Sequence, residues 1–545
     1  MKSYTQKNIV EIEKDISTPV LNIILDGKKL SIREIMSVAR SDFKVSFSKE
    51  KRIYDWMKKS YDAMMNDVKE GIPVYGTNTG YGARAKHILN NGTVQQRIEW
   101  GKKLSEGIAH VDITTGPELP LDITKAGILI RINMLMGGVS GIKTQDLEIY
   151  RSILNTQIIP VVNQYGGVGA SGDLHHNGRV LSAARQLPGV RATLKNGEVK
   201  DAATALKNAG IPALKLDPKA GLAFVNGDNF STAAATILAV DTLRALIISQ
   251  VVEAMMIEVL KGTNRSFHPI LSFIRPHSGQ DEASSLFRYL LKDSKLIFDE
   301  MKGPKLRPPG MKVQDGYSLR CLAQYNGVNF EKIKSILDTI TINANSVSDN
   351  PVWVPPEKTT PGEKSWQWVS GGNFIAMHMV EAIDSLRKIM TQIVKVNDRH
   401  LARLIDTNEN NGLPPNLSDK KAITQSSFKG VQVHSGMLEV YSSLLSIPVS
   451  TFFGTHEEGN QDITSHALTS AIIGMENLRL TRYSIAQNLL SVAQAVDLRG
   501  GKKYLSPKTR PVYELIRNKV RYVDVERPLA NDIEVLYDSI IDGSL

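Results

Sequence analysis

The sequence predicts a mainly α-helical protein built around a long central helix bundle. Three stretches of about thirty residues carry apolar residues at helical spacing: Ser231–Lys261, Met377–Ile405 and Thr464–Val496. Gly262 follows the first stretch and is typical of a helix end. Because these stretches are longer than most globular helices, we expect them to pack together in one bundle that is shared between subunits.

The remaining predicted elements are shorter. Thr124–Gly137 and Asp146–Thr156 have helical spacing, whereas Ala192–Leu206 carries Asn-Gly between short extended runs and predicts a hairpin. Turn-forming residues indicate loops at Gly71–Gly92, Gly303–Gln314, Val354–Gly372 and Asn408–Ser418. The sequence has no repeat of fixed period and no low-complexity linker. We therefore expect one continuous unit, with residues 1–230 before the first long helix and residues 231–545 forming the bundle and the C-terminal helices.

Composition and charge restrict the class of protein. The chain has 545 residues, of which 42% are hydrophobic and 22% charged, as in folded globular proteins. The net charge is +10, but lysines and arginines are scattered and no nucleic-acid-binding motif is present. The single cysteine, Cys321, excludes an intramolecular disulfide and a multi-cysteine metal site. We expect no nucleic-acid partner and a reducing compartment.

Two segments bear on the location of the protein. The N-terminal residues MKSYTQKNIVEIEKD lack the apolar core of a signal peptide. The apolar segment Ser231–Leu260 is interrupted by four charged residues that a membrane span would resist: Asp241, Arg244, Glu253 and Glu258. We therefore expect a cytoplasmic protein without a membrane partner, in which this segment is buried in the bundle.

The stretch GGVGASGDLHHNGRV, residues 166–180, is unusually rich in glycine. A phosphate-binding loop would need Lys-Ser/Thr after its second glycine, but Asp173-Leu174 follows Gly172. Two interpretations remain open on these residues alone. One is a tight turn. The other is a cyclisation in which the Gly172 nitrogen attacks the Ala170 carbonyl and two waters leave, one of them from the Ser171 side chain, to give a methylidene-imidazolone.

Further motifs favour the cyclisation. In chain order they are VYGTNTGYG (74–82), RINMLMGGVSGI (131–142), IIPVVNQYGGVGASGDL (158–174), GLAFVNGDNFSTA (221–233), RPHSGQ (275–280), VQDGYSLRC (313–321), NSVSDNPVW (345–353), GGNF (371–374) and EEGNQDITS (457–465). Together and in this order they resemble the aromatic amino acid ammonia-lyase and 2,3-aminomutase family, which includes histidine, phenylalanine and tyrosine ammonia-lyases. The resemblance covers roughly residues 20–500.

The resemblance implies a fold, an assembly and a cofactor. The fold is mainly α-helical, and the assembly is a homotetramer with active sites shared among subunits. The cofactor is a 4-methylidene-imidazol-5-one that forms from Ala170, Ser171 and Gly172, without a metal. The N-terminal part, residues 1–230, would contain both the catalytic loop and this triad. The only partner besides the other subunits would be a small-molecule substrate, an L-aromatic amino acid.

The resemblance also assigns roles to individual residues. Tyr75 is the expected base, Tyr317 lies near the cofactor, and Glu457 helps to handle the protons of the amine. Arg320 is the expected clamp for the substrate carboxylate, because a guanidinium matches a carboxylate in a bidentate manner. Further residues are expected around the cofactor and the substrate: Asn226, Gln314, Phe374 and Gln461.

The sequence departs from the family pattern at two places. His175-His176-Asn177 follows Leu174, which predicts a more polar wall beyond the triad. The position that tunes ring specificity aligns with Ser105-Glu106, and Glu106 would be costly beside a bare phenyl ring. Glu106, or His110 one turn later, could instead bind a polar ring. The NQD sequence at 460–462, which contains Gln461, resembles that of the phenylalanine and tyrosine enzymes more than that of the histidine enzymes. We expect tyrosine or histidine as the substrate ahead of phenylalanine.

Several alternatives remain open. A 2,3-aminomutase would share nearly all of the catalytic residues. A lyase acting on an imidazole betaine such as ergothioneine is disfavoured by the intact triad, because a quaternary ammonium has no lone pair for the usual adduct. A non-catalytic relative is disfavoured by the intact Tyr75, triad and Arg320. A zinc site at His456-Glu457 is disfavoured because the sequence has no HExxH motif.

Overall fold

A computed structural model describes residues 3–301, 303–308, 311–360 and 368–545. Parts of two predicted loops, residues 309–310 and 361–367, lie outside the described residues. The described chain is mainly α-helical, as predicted. Its α-helices are α1 Ile9–Ile16, α2 Ile32–Arg40, α3 Lys51–Glu70, α4 Val94–Ile108, α5 Leu121–Leu135, α6 Thr144–Thr156, α7 Leu174–Ala184, α8 Ala202–Asn208, α9 Ala220–Val225, α10 Asn229–Val259, α11 Pro269–Phe273, α12 Ser278–Leu290, α13 Tyr317–Arg320, α14 Leu322–Ala344, α15 Met377–Ile405, α16 Lys429–Leu444, α17 Ala467–Leu498, α18 Arg510–Lys519 and α19 Ala530–Asp542.

The strands are short and lie at the edges of the helical body. They are β1 Asn22–Leu25, β2 Lys44–Phe47, β3 Thr115–Glu118, β4 Ile159–Pro160, β5 Asn163–Tyr165, β6 Arg191–Thr193, β7 Val199–Asp201, β8 Val352–Trp353 and β9 Trp368–Val369. β1 and β2 pair in parallel, with Asn22 opposite Lys44. The β3–β5, β4–β6, β6–β7 and β8–β9 pairs are antiparallel.

The three long predicted helices form the centre of the protein. α15 has the predicted bounds, while α10 and α17 differ from the predicted stretches by two or three residues at each end. α15 packs along α17, and α10 contacts both of them as well as α5 and α14. These contacts give one continuous hydrophobic core from α1 to α19. The predicted packing of the three helices in one bundle is therefore confirmed within the chain, and its sharing between subunits stays a prediction.

α10 is apolar on nearly every face because it is surrounded by other helices. It is long and apolar enough to cross a membrane by length and composition, but 78% of its most apolar window is buried inside the protein. A core helix of a soluble protein has this property. Charged residues of α10 have partners inside the protein. Asp241 pairs with Arg40 and Arg482, and Glu253 accepts a hydrogen bond from Asn326.

The shorter predicted elements are mostly present. α5 and α6 coincide with the predicted helices to within three residues. The predicted hairpin is confirmed in its first part, where β6 pairs with β7. Its second part is wrong, because Ala202–Asn208 is helical and the side chain of Asp201 caps that helix by accepting a hydrogen bond from the N–H of Thr204.

Candidate active site

The Ala170-Ser171-Gly172 triad forms a sharply folded turn. Gly169 and Gly172 have φ angles of +76° and +64°, which favour glycine. Backbone bridges join Gly172 to Ala170 and, on its other side, to Gly227. A β-carbon on Gly172 would lie 2.5 Å from the backbone of Gly227, so only glycine fits at this position. The turn therefore folds Gly172 back onto Ala170, which is the arrangement that cyclisation requires.

Asp173 anchors the triad between two helices. Its N–H donates to the carbonyl of Gly227 (2.8 Å), and its carboxyl accepts from the N–H (2.7 Å) and the hydroxyl (2.6 Å) of Ser231 in the first turn of α10. α7 begins at the next residue, Leu174. Burial raises the pKa of Asp173 to about 7. The turn is thus held to the start of α7 and to the start of α10 at once.

Asn226 contacts the residue that must lose its hydroxyl. Its Nδ2 donates to Ser171 Oγ at 2.6 Å and lies 3.4 Å from the Ser171 carbonyl oxygen. The Oδ1 atom of Asn226 is buried and has no hydrogen-bond partner among the described residues. A buried amide oxygen without a partner is uncommon, so this atom marks a place where a further polar group fits.

Tyr75 lies on the loop between α3 and α4 and faces a cavity that Ala170, Ser171 and Asn226 also line. Its hydroxyl accepts a hydrogen bond from the N–H of Gly82 at 2.9 Å. Burial raises the pKa of Tyr75 above its ordinary value; the Gly82 hydrogen bond lowers it in part, and the Glu457 carboxylate raises it. The phenol therefore holds its proton at neutral pH in the isolated chain.

Glu457 approaches the tyrosine loop from the far end of the sequence. Its carboxylate accepts hydrogen bonds from the N–H of Ala83 at 3.0 Å and from the side chain of Asn460 at 2.8 Å. A β-carbon on Gly82, whose φ is +51°, would collide with this carboxylate. The glycine in the VYGTNTGYG motif is therefore what allows Glu457 to reach the loop.

These groups line one cavity of about 630 Å³. The residues expected from the sequence that the structure brings together here are Tyr75, Ala170, Ser171, Asn226, Phe374, Glu457 and Gln461. Apolar side chains complete the wall, among them Ile108, Val111, Leu174 and Leu222. The site therefore combines the Tyr75 hydroxyl, the Glu457 carboxylate and the triad with an apolar surface.

Three of the residues expected at the site do not line this cavity: Gln314, Tyr317 and Arg320. The Nη1 atom of Arg320 donates to Gln314 Oε1 at 2.9 Å, and the guanidinium stands 4.5 Å from the ring centre of Tyr317. Tyr317 is 71% exposed and lines a separate cavity of about 440 Å³ beside α15. A single chain thus groups Gln314, Tyr317 and Arg320 with one another but does not bring them to the triad.

The polar residues that depart from the family pattern do not line the triad cavity. The side chain of Glu106 is 49% exposed and lies 3.9 Å from Arg185, which also contacts His110 at 3.3 Å. His175 contacts the carbonyl of Val111. His176 is buried beside the Gln164 carbonyl, and burial lowers its pKa to about 4. His175, His176 and Asn177 are therefore not among the residues that line the triad cavity of the single chain.

The wall from this part of the chain is apolar instead. Ile108 and Val111 line the triad cavity, and sequence reasoning missed both. Ser105 is buried, where its hydroxyl accepts a hydrogen bond from the N–H of Gly221 at 2.6 Å. Because Ile108 is three residues after Ser105, it lies on the same inward face of α4. This periodicity is the signal that could have identified Ile108.

No group of three or more His, Cys, Asp or Glu side chains that could hold a metal ion is found in the part of the chain that the structure describes. His456, considered above as a zinc ligand, forms an isolated bridge with Gln461 through its backbone.

The relatives that this chain matches are named ammonia-lyases, which assigns it to the class of carbon–nitrogen lyases. The chain belongs to the aromatic amino acid lyase family, which it matches over residues 30–518. The resemblance inferred from the motifs is thereby confirmed.

Individual relatives agree with this assignment. The chain is 31% identical over 514 residues to a phenylalanine ammonia-lyase of Nostoc punctiforme, which covers 91% of this chain and 86% of that protein. It is 31% identical over 529 residues to a histidine ammonia-lyase of Myxococcus xanthus, which covers 96% and 97%. Among solved structures, tyrosine aminomutase from Streptomyces globisporus has a TM-score of 0.86 at 26% identity and covers 96% of this chain and 97% of that chain.

Proposed function

We propose that the protein is an ammonia-lyase that converts an L-aromatic amino acid into ammonia and an arylacrylate. The observation that carries this proposal is the Asn226–Ser171 hydrogen bond, at a folded glycine turn that opens into the same cavity as Tyr75. A turn that served only to reverse the chain would not need a buried amide on its serine or a tyrosine and a glutamate facing it.

The triad fits the formation of a methylidene-imidazolone. The Gly172 nitrogen forms a bond to the Ala170 carbonyl carbon, and the carbonyl oxygen leaves as water with the amide hydrogens of Gly172 and Ser171. A second water takes the Ser171 hydroxyl and its α-hydrogen, which leaves a carbon–carbon double bond. No oxidant is needed. The unpaired Oδ1 of Asn226 and the glycine-only space at Gly172 are compatible with this group.

Two difficulties must be overcome to remove the amine: the amine is a poor leaving group, and the β-hydrogen is a weak acid. The group that Ala170, Ser171 and Gly172 would form would supply an electrophile for the substrate amine and make that amine a better leaving group. In this proposal Tyr75 takes the β-hydrogen in its phenolate form, which the hydrogen bond from the N–H of Gly82 would support. Glu457, held by Ala83 and Asn460, is placed to accept a proton from the amine. Phe374 and Leu174 offer apolar surface to the substrate.

The carboxylate clamp comes from a second subunit in this proposal. Arg320, Tyr317 and Gln314 form one group at the surface of the chain, and the site around the triad has no arginine of its own among its lining residues within the described ranges. A homotetramer in which one subunit presents Arg320 to the triad of another would complete the site. The family resemblance supports this assembly.

The ring selectivity follows from the cavity wall. Ile108, Val111 and Leu174 are apolar, and Glu106 lies outside the cavity, so the reason for expecting histidine is weakened. The NQD sequence that contains Gln461 also resembles the corresponding sequence of the phenylalanine and tyrosine enzymes. We therefore propose a carbocyclic ring, as in tyrosine or phenylalanine, ahead of histidine. The similarity to a solved tyrosine aminomutase keeps a 2,3-aminomutase as the second candidate.

One experiment tests the proposal. The purified protein is incubated separately with L-tyrosine, L-phenylalanine and L-histidine, and the products are identified by mass and chromatography. Ammonia with an arylacrylate supports the lyase, and a product isobaric with its substrate supports the aminomutase. The peptide that ends at Arg179 is weighed in parallel. Loss of two waters is expected, and an unmodified peptide would overturn the proposed cofactor.

A further inference from the structure

The guanidinium of Arg131 is buried next to Gly227 and forms no direct ion pair among the described residues, although the carboxylates of Asp349, Asp228 and Asp173 are near enough to raise its pKa in part. Arg131 projects from α5 and is 1% exposed. It donates to the carbonyls of Ala223, Asn226 (2.9 Å) and Ser348 (2.9 Å), and its Nε has no hydrogen-bond partner in the described part of the chain. None of the ion pairs among the described residues includes it.

Such an arrangement is a poor way to stabilise a fold. Moving a cation out of water is costly, and apolar residues of similar volume often serve the folded state as well or better. Burial accordingly lowers the pKa of Arg131. What the guanidinium provides in return is geometry, because its planar fork fixes several carbonyls at once.

Two of the three carbonyls that Arg131 contacts, those of Ala223 and Asn226, belong to the segment that contacts the triad. Ala223 and Asn226 close the C-terminal end of α9, and the Asn226 side chain donates to Ser171 Oγ. Gly227 comes next. A β-carbon on Gly227 would collide with the guanidinium, while its carbonyl carbon and oxygen would lie 2.5 Å from a β-carbon on Gly172. Gly227 is therefore packed between Arg131 and Gly172.

Two contact chains thus run from Arg131 to the reacting atoms. One runs through Asn226 to the Ser171 hydroxyl, which leaves as water. The other runs through Gly227 to Gly172, whose nitrogen must reach the Ala170 carbonyl. We propose that Arg131 is a positioning residue for cofactor formation: it holds residues 226–227 against the triad so that Gly172 stays folded onto Ala170. This inference rests on the proposed function, and the bonds made and broken are those of the proposed cyclisation.

Arg131→Lys and Arg131→Met test the inference, and Arg499 offers a matched control. The Arg499 guanidinium also contacts carbonyls, those of Val259 (2.9 Å) and Asn410 (2.8 Å), and burial lowers its pKa to about 10. Neither carbonyl belongs to the triad cavity. The full-length wild type and the Lys and Met variants at both positions are purified, and their folded fractions are isolated.

The readouts are the thermal midpoint and the fraction of the peptide ending at Arg179 that has lost two waters, followed with time after synthesis. We expect dehydration in the folded Arg131 variants to be about tenfold slower or more, with Lys intermediate between Arg and Met. The Arg499 variants should lose a comparable amount of stability and still dehydrate fully, which a merely structural role of Arg131 would not produce.

The other outcomes are decisive as well. Dehydration at the wild-type rate in folded Arg131 variants would overturn the inference and leave the proposed function intact. Equal slowing in the Arg499 variants, or no folded protein from either Arg131 variant, would show a general structural role and also overturn it. An unmodified peptide in the wild type would overturn the proposed function itself, before Arg131 is considered.

Discussion

The hydroxyl of Tyr75 accepts a hydrogen bond from the backbone N–H of Gly82, which lies seven residues later in the same loop. The N–H is a fixed donor aimed at the oxygen that must carry negative charge in the phenolate. The neighbouring Glu457 carboxylate acts in the opposite direction and raises the pKa of Tyr75, as does burial. The basicity of Tyr75 is thus set by a balance that can be altered one group at a time.

Replacing Tyr75 with Phe should abolish most of the activity without unfolding the protein. Only the hydroxyl that would take the β-hydrogen is lost, so kcat should fall by about 10²- to 10⁴-fold. Tyr81→Phe is the matched control, because Tyr81 lines the same cavity but its hydroxyl donates to the Leu104 carbonyl at 2.9 Å. A similar loss in both variants, measured by steady-state kinetics, would contradict the assignment of Tyr75 as the base.

The pH dependence of kcat should respond to Glu457. Because the pKa of Tyr75 is raised, the phenolate fraction and hence the rate should increase with pH into the alkaline range. Glu457→Gln removes a negative charge that disfavours the phenolate, so the rising limb should move to lower pH. The height of the profile should fall, because Gln cannot accept a proton from the amine. An unmoved limb, or one displaced to higher pH, would show that Glu457 does not act on Tyr75.

Ring selectivity should depend on Ile108 and not on Glu106. Ile108→Ala removes apolar surface from the cavity wall and should change the ratio of kcat/KM for phenylalanine and tyrosine by about tenfold. Glu106→Gln alters a half-exposed residue outside the cavity and should leave this ratio within about twofold. The ratios are measured by competition between the two substrates. A large effect of Glu106→Gln would restore the role that the sequence alone suggested.

Features set by residues close in the sequence were predicted well, whereas features that depend on contacts between distant residues were not. α15 was predicted with its observed bounds because its apolar spacing is local. α3 and α14 were not predicted, although the buried residues of α3, among them Ile53, Met57 and Met64, have the helical spacing that would have identified it. The site unites Tyr75, Ser171, Asn226 and Glu457 from distant parts of the chain, which only the family motifs could suggest. Glu106 was misplaced because an ungapped alignment does not reveal which face of a helix turns inward.

The buried Glu253 makes stability depend on pH. Burial on α10 raises its pKa from 4.5 to about 8, so the folded chain retains a proton that the unfolded chain releases. This group therefore costs stability increasingly as the pH rises from about 4.5 to 8. Glu253→Gln removes the cost and can still accept the 2.6 Å hydrogen bond from Asn326.

The gain from Glu253→Gln should be about 4 kcal/mol at about pH 8 and should disappear toward pH 4.5. It is measured as the difference in urea unfolding midpoints between variant and wild type across this range. Glu381→Gln, an exposed carboxylate on α15, is the control and should show no such trend. A difference for Glu253→Gln that is the same at every pH would mean that the carboxyl is not held protonated in the folded chain.

Ser171 lines the triad cavity, whereas Arg320 is not among the described residues that line it, and this separation leads to a test of the proposed shared site. Ser171→Ala removes the hydroxyl that must be eliminated, and Arg320→Met removes the carboxylate clamp, so each variant alone should be inactive. If a site takes Ser171 from one subunit and Arg320 from another, co-expression of the two variants should leave about a quarter of the sites intact, by random assortment in the mixed oligomer.

The comparison that gives this recovery its meaning is wild type co-expressed with the double variant Ser171→Ala/Arg320→Met. Sites shared between chains should again be about one quarter intact, whereas sites built within one chain should be about one half intact. Sites within one chain would also give no activity from the two single variants together. Activity per oligomer, measured after both chains have been quantified by mass, separates these cases. Recovery from the single variants places Arg320 opposite another subunit's triad, and its absence would require Arg320 to reach the triad of its own chain by a rearrangement of residues 311–321.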